Sequence, residues 1–144
     1  MSKSGFQAGC YKAAEKTNVK LVSLDELTEI YHLKWRGEMI KKCAPYADLL
    51  RPYCIYSSPL SQDAKVDHAS QLLVTRAYDP ICHLMLPSYF EHGFVQYPFE
   101  IPAINDDLEV IGSFEIKNDR EYFNFCEENK DKAIRHFKIL FKEL

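Results

Sequence analysis

The chain lacks any apolar run long enough to cross a bilayer, and its N-terminus has no basic–apolar–small pattern. The expectation is a cytoplasmic protein with no membrane partner. It also lacks a Cys-x-x-Cys pair. Its five cysteines, at positions 10, 43, 54, 82 and 126, are odd in number and widely spaced, which points to free thiols in a reducing compartment. Its five histidines, at 32, 68, 83, 92 and 136, show no metal-ligand spacing, and no Cys–His pair is nominated for nucleophilic catalysis. There is no excess of positive charge. A formal net charge of −3 gives no global pull toward nucleic acid, although a local basic face is compatible with it. Internal repeats and low-complexity tracts are absent, which removes solenoid architectures.

What is present is ordinary for a globular chain of this size. The 144 residues are 47% hydrophobic and 27% charged, enough for one domain with a real core. Nine Tyr and nine Phe make that core aromatic-rich. The expected architecture is a single α/β or α+β domain spanning 1–144, with a small mixed sheet flanked by about three helices near 8–17, 24–43 and 119–143.

Local signals place the elements. Ser4 is positioned to cap a short first helix whose alanines, Ala8, Ala13 and Ala14, allow close packing. Val19 to Ser23 reads as a buried strand, parallel because a helix precedes it. Ser23 or Asp25 then caps a second helix with an apolar face of Leu27, Ile30, Tyr31 and Trp35. Pro45, Pro52 and Pro59 make 44–66 irregular, with a short helix at Tyr46 to Leu50 and a surface loop at Ser57–Asp63. Leu72–Thr75 reads as a strand, and Ile81–Leu86 as a strand or a buried turn of helix. Prolines at 87, 98 and 102 leave short extended pieces around Tyr89-Phe90 and Phe94–Tyr97, some on sheet edges. Leu108 to Lys117 alternates as a strand or hairpin with a bend at Gly112. Asn118 or Asp119 caps a long final helix striped by Phe123, Cys126, Ala133, Ile134, Phe137, Leu140 and Phe141.

The run Ser4-Gly5-Phe6-Gln7-Ala8-Gly9, the alanine-bearing helix after it, the Val19–Ser23 segment and the Asp25-Glu26-Leu27 step together resemble the closing unit of the Mrr-like restriction endonucleases, within the Asp…(Asp/Glu)-x-Lys superfamily. The similarity covers residues 3 to about 31. Residues 1–31 would then be the end of a restriction-endonuclease-like core and 32–144 a C-terminal extension. The resemblance implies that the family's catalytic carboxylates lie upstream of Met1. It also implies a helix N-terminus near the active-site face, with Ser4, Gly5 and Gln7 close to a phosphate. The ordinary alternative for those residues is a strand-to-helix turn capped by Ser4.

The expected function is therefore that of a C-terminal part or remnant of such a nuclease. It would contribute DNA contact or assembly in restriction and defence, with double-stranded DNA, a second copy or the rest of a nuclease as partners. Lys34, Arg36, Lys41 and Lys42, with Arg51, form the basic group that would meet a DNA backbone, and Trp35 could stack on a base. The first alternative is a non-catalytic protein-interaction module. The second is a metal-dependent nuclease: Asp107 followed by Glu115-Ile116-Lys117 fits the superfamily's pattern. On that reading Asp107 and Glu115 hold a Mg²⁺ ion and Lys117 steadies developing charge, with Glu115 and Lys117 on one strand face. No cofactor is implied outside that reading.

Overall fold

The computed structural model describes residues 5–54, 66–84 and 95–144. Among the described residues, five helices and one two-stranded antiparallel sheet make an α+β fold. The helices are α1 (Ala8–Glu15), α2 (Leu24–Leu50), α3 (His68–Ala77), α4 (Asp79–Cys82) and α5 (Asp119–Leu140), and a 3₁₀ turn at Arg51–Tyr53 follows α2. The strands are β1 (Phe99–Ile104) and β2 (Val110–Ile116). The chain falls into two contact units, residues 1–38 and 39–144, with the division inside α2.

In the first unit, α1 starts at Gln7, which makes no side-chain capping bond; Ser4 lies outside the described residues. Residues 19–22 form no strand, which corrects the sequence expectation. The unit contains no described strand to pair with, and Val19 is 61% exposed. The start of α2 is as expected. Ser23 Oγ accepts from the Glu26 N–H at 3.1 Å, and the Ser23 N–H donates to Glu26 Oε2 at 2.7 Å. This reciprocal pair satisfies two backbone donors that the helix itself leaves open. The expected apolar face is only partly covered: Ile30 and Tyr31 are exposed, while Leu27 and Trp35 are half-buried.

In the second unit, α2 runs through Pro45 to Leu50 instead of breaking there. An interior proline costs about 3 kcal/mol of helix stability. Cys43, Ala47 and Leu50, spaced for one helical face, are all buried, and burying a leucine side chain alone contributes about 1.5–3 kcal/mol. Residues 72–75 are helix, not strand. Asp67 caps α3 by accepting from the Ser70 N–H at 2.9 Å, and Gln71, Val74, Thr75 and Tyr78 are buried at helical spacing. Pro80 stands in the first turn of α4, where its missing N–H costs nothing. The loop expected at Ser57–Asp63 and the extended piece at Tyr89-Phe90 lie outside the described residues.

The sheet is an antiparallel hairpin rather than a mixed sheet. Phe99 lies opposite Ile116, Ile101 opposite Phe114, and Pro102 opposite Ser113, with a bulge at Ala103/Ile104. The chain reverses at 105–109, not at Gly112, which sits in β2 opposite Ala103. Asn105 makes the turn: its Oδ1 accepts from the Asp107 N–H at 3.0 Å and from the Glu109 N–H at 2.8 Å. Helix α5 follows with its own capping pair. Asn118 Oδ1 accepts from the Glu121 N–H at 3.0 Å, and Glu121 Oε2 accepts from the Lys117 N–H at 2.8 Å. Its expected stripe faces the core. Phe123, Cys126, Ala133, Phe137 and Phe141 are buried, as are Ile81, Ile101, Ile104 and Ile116, whereas Ile134 and Leu140 are half-buried; Tyr122 donates to the Pro80 carbonyl at 2.6 Å.

Candidate functional site

A cleft of about 580 Å³ lies between α3 and the hairpin, lined by Leu72, Leu73, Arg76, Phe99, Ile101 and Val110. Six of the seven β2 residues are exposed, and only Ile116 is buried. Three of them are large apolar residues: Val110 is 58% exposed, Ile111 65% and Phe114 43%. The Phe114 ring meets Phe125 edge-on, with centroids 5.7 Å apart. Among the described residues β2 pairs only with β1, and an exposed hydrophobic strand edge is the feature that natural sheets usually blunt or cover.

The register makes that edge more specific. Pro102 has no N–H to give, so the Pro102–Ser113 position fits a non-hydrogen-bonded pair of the antiparallel ladder. The Ser113 N–H and C=O then point away from β1, toward the outer edge of β2. Glu115, two residues on, repeats that orientation.

Behind the turn, Asp106 binds the hairpin to α5. Its Oδ1 accepts from His136 Nε2 at 3.0 Å, and its Oδ2 accepts from the Arg135 guanidinium at 2.8 Å. The His136 ring is fully buried, and its Nδ1 meets the Tyr78 hydroxyl at 2.8 Å. The His136 hydrogen bond, reinforced by Arg135, holds the Asp106 carboxyl below its usual range. Burial pushes the Tyr78 phenol upward, with the charge of Asp106 adding to the effect. This chain of contacts ties turn, α5 and the end of α3 together.

The residues nominated from sequence are placed as follows. Asp107 lies in the exposed turn at one end of the hairpin, whereas Glu115 is opposite Glu100 near the other end. Four residues of β2 separate Val110 from Glu115, five steps along the strand, so the two carboxylates are on the order of 15 Å apart at about 3.3 Å per step. Two ligands of one Mg²⁺ each sit about 2.1 Å from the ion. The hairpin therefore does not bring Asp107 and Glu115 together. Glu115 and Lys117 do share a face, and their side chains form an ion pair at 3.0 Å. No cluster of three or more His, Cys, Asp or Glu able to hold a metal occurs among the described residues.

Of the residues expected at DNA, Ser4 is outside the described residues and Gln7 is exposed at the start of α1. Lys34 is exposed on α2, and Arg36 Nη2 lies 3.2 Å from His32 Nε2. In the second unit, Lys41 is exposed and Lys42 is paired with Glu127 at 2.6 Å. Arg51 is paired with Asp48 at 2.6 Å. Ion pairs at such exposed positions are individually weak and break readily for another anion.

One grouping escaped sequence reasoning altogether. All five cysteines are free thiols, and four of them act on one another electrostatically in two pairs, Cys43 with Cys126 and Cys54 with Cys82. His83 stands beside the second pair, with Nδ1 2.6 Å from Asp79 Oδ1. The separations in sequence are too long for any spacing rule, and only the folded chain joins them. The adjacency of Cys82 and His83 was the one visible signal.

No family model, no curated protein and no solved structure matches the chain.

Proposed function

We propose that the chain is a non-catalytic interaction module that assembles with a second copy of itself through the outer edge of β2. The observation that carries this reading is the exposure of six of the seven β2 residues, three of them large and apolar. Strand addition to such an edge supplies main-chain hydrogen bonds for affinity and side-chain pairing for selectivity.

A second copy fits the pattern of charge and size. Antiparallel pairing about a two-fold axis through Ser113 matches the outward N–H and C=O of each Ser113 to those of the other. In that register Gly112 lies opposite Phe114, which leaves space for the ring, and Glu109 lies opposite Lys117 of the other copy. A register shifted by two positions would oppose Glu109 with Glu115, and like charges directly opposite are unfavourable. The present partners of these residues, Asn105 for Glu109 and Glu115 for Lys117, are exposed and exchange at little cost.

Light scattering after size exclusion tests the reading. The wild type is expected at twice the 16.8 kDa of one chain, with dissociation on dilution. Lys117→Glu would set acid against acid and give a monomer; Glu109→Lys with Lys117→Glu would restore the dimer. A wild type that stays monomeric at millimolar concentration would sink the proposal.

Assembly is also one of the two roles implied by the resemblance of residues 3–31 to the end of an Mrr-like nuclease. The other role, DNA contact through Lys34, Arg36, Lys41 and Lys42, has the exposure of Lys34 and Lys41 in its favour, while Arg36 lies beside His32 and Lys42 is paired with Glu127. A gel shift at low salt decides it: retardation that weakens steeply with added salt supports backbone contact, and none removes it.

A further inference from the structure

The cleft between α3 and the hairpin carries charge that the rest of the fold leaves unanswered. Its walls are mainly apolar, with Leu72 and Leu73 from α3 and Phe99 and Ile101 from β1. Two side chains of opposite charge also line it, Arg76 in the last turn of α3 and Glu100 in β1. Among the described residues Arg76 meets no carboxylate, Glu100 meets no cation, and the two do not pair with each other. The dipole of α3 accounts for a cation at its end, but not for the missing partner. Asp79, three residues on and lining the same cleft, turns to His83, with Oδ1 2.6 Å from His83 Nδ1.

Glu100 is the sharper case. It stands directly opposite Glu115 across the hairpin, and like charges so placed disfavour the pairing. Lys117 offsets Glu115 at 3.0 Å, whereas no described cation offsets Glu100. Local rules broken without compensation inside the chain concentrate at functional sites, where a ligand supplies what is missing. A volume of about 580 Å³ is that of a small-molecule site. The lining asks for an apolar body with a carboxylate at one end and an ammonium at the other. A guanidinium takes a carboxylate through two parallel hydrogen bonds. The two protein charges stand apart, so the charges of one ligand that meets both must stand apart as well. A single α-amino acid carries both on one carbon and does not meet that requirement.

We propose that this cleft binds a short apolar peptide with free ends. Its C-terminal carboxylate lies on Arg76, its N-terminal ammonium on Glu100, and its side chains against Leu72, Leu73, Phe99 and Ile101. The whole site belongs to the unit of residues 39–144, and it does not rest on the pairing of β2 with a second copy.

The test titrates the full isotope-labelled chain with dileucine and follows backbone amides by nuclear magnetic resonance. The expected result is saturable shifts at Leu72, Leu73 and Ile101. Acetylating the ammonium or amidating the carboxylate of the probe should each weaken binding by about fivefold, the scale of one solvent-accessible ion pair. Arg76→Gln should bind the amidated and free peptides equally, and Glu100→Gln should bind the acetylated and free peptides equally. Both positions are exposed, so both variants should melt cooperatively, and Glu100→Gln, relieved of Glu115, should melt no lower than the wild type. The absence of saturable shifts in the cleft up to about 10 mM dileucine would overturn the proposal. So would equal binding of the doubly capped peptide, or binding of leucine alone as tight as that of dileucine.

Discussion

Asp106 and Asp107 are adjacent, identical in type, and put to different uses. Asp107 lies in the exposed turn, while Asp106 reaches back to Arg135 and His136. Nothing in the sequence separates them; the turn that Asn105 organises does. The Asp106–His136–Tyr78 chain is the place where a single atom should matter most. Tyr78→Phe removes one hydroxyl and leaves His136 Nδ1, on a fully buried ring, without its 2.8 Å partner. Urea denaturation is expected to show a loss of about 1–3 kcal/mol, the cost of orphaning a buried polar group. A change within error would mean that the ring repairs the loss elsewhere. His83 provides a second residue-level prediction, read against pH. Its hydrogen bond to Asp79 raises the imidazole above its ordinary value. A raised pKa stabilises the fold below the unfolded value of about 6.5, and that contribution fades as pH rises through the folded value. His83→Gln should therefore cost more stability at about pH 5.5 than at about pH 9, as measured by denaturation at both. Equal losses at the two would place the effect in packing rather than charge.

At the scale of elements, the helix ends repeat one device. Ser23 and Asn118 each accept from the backbone N–H three residues on, and the Glu there reaches back to a backbone N–H, that of Ser23 itself in the first case and of Lys117 in the second. Asn118→Ala should cost about 1 kcal/mol in chemical denaturation, because the Glu121 N–H loses its acceptor and the Glu121 side chain loses part of its anchor. These starts were legible in the sequence, as was the stripe on α5, because capping and period depend on residues a few positions apart. Leu72-Leu73-Val74-Thr75 was misread for the opposite reason. Its apolar run looks like a strand, and its helical state rests on the Asp67 cap before it and on burial of Gln71, Val74 and Tyr78. The proline at 45 was read as a stop, but the packing of Cys43, Ala47 and Leu50 overrides local preference. The Glu115–Lys117 pairing was legible, since period-2 alternation alone puts them together. The distance between Asp107 and Glu115 was not, because it depends on where the chain turns. Nor were the cysteine pairs, which join segments brought together only by the tertiary fold.

For the whole molecule, the distribution of burial is uneven. No described residue of 5–38 is buried, whereas 39–144 holds every buried side chain from Cys43 to Phe141. Opening free energy follows buried apolar contact, so the two units should differ in amide exchange. The amides of α1 and the first turns of α2 are expected to exchange orders of magnitude faster than those of α5 around Phe123 to Phe137, although both regions are helical. Comparable protection in the two would show that the first unit has partners strong enough to hold it. The same experiment bears on assembly. The Ser113 and Glu115 amides have no acceptor in β1 if Pro102–Ser113 is a non-hydrogen-bonded pair, so in an isolated chain they should exchange quickly while those of Gly112 and Phe114 are protected. Pairing of β2 with its copy would protect Ser113 and Glu115 as protein concentration rises, and Lys117→Glu would abolish that protection and leave α5 unchanged. Exchange at these two amides that is independent of concentration would leave the exposed edge without a second strand.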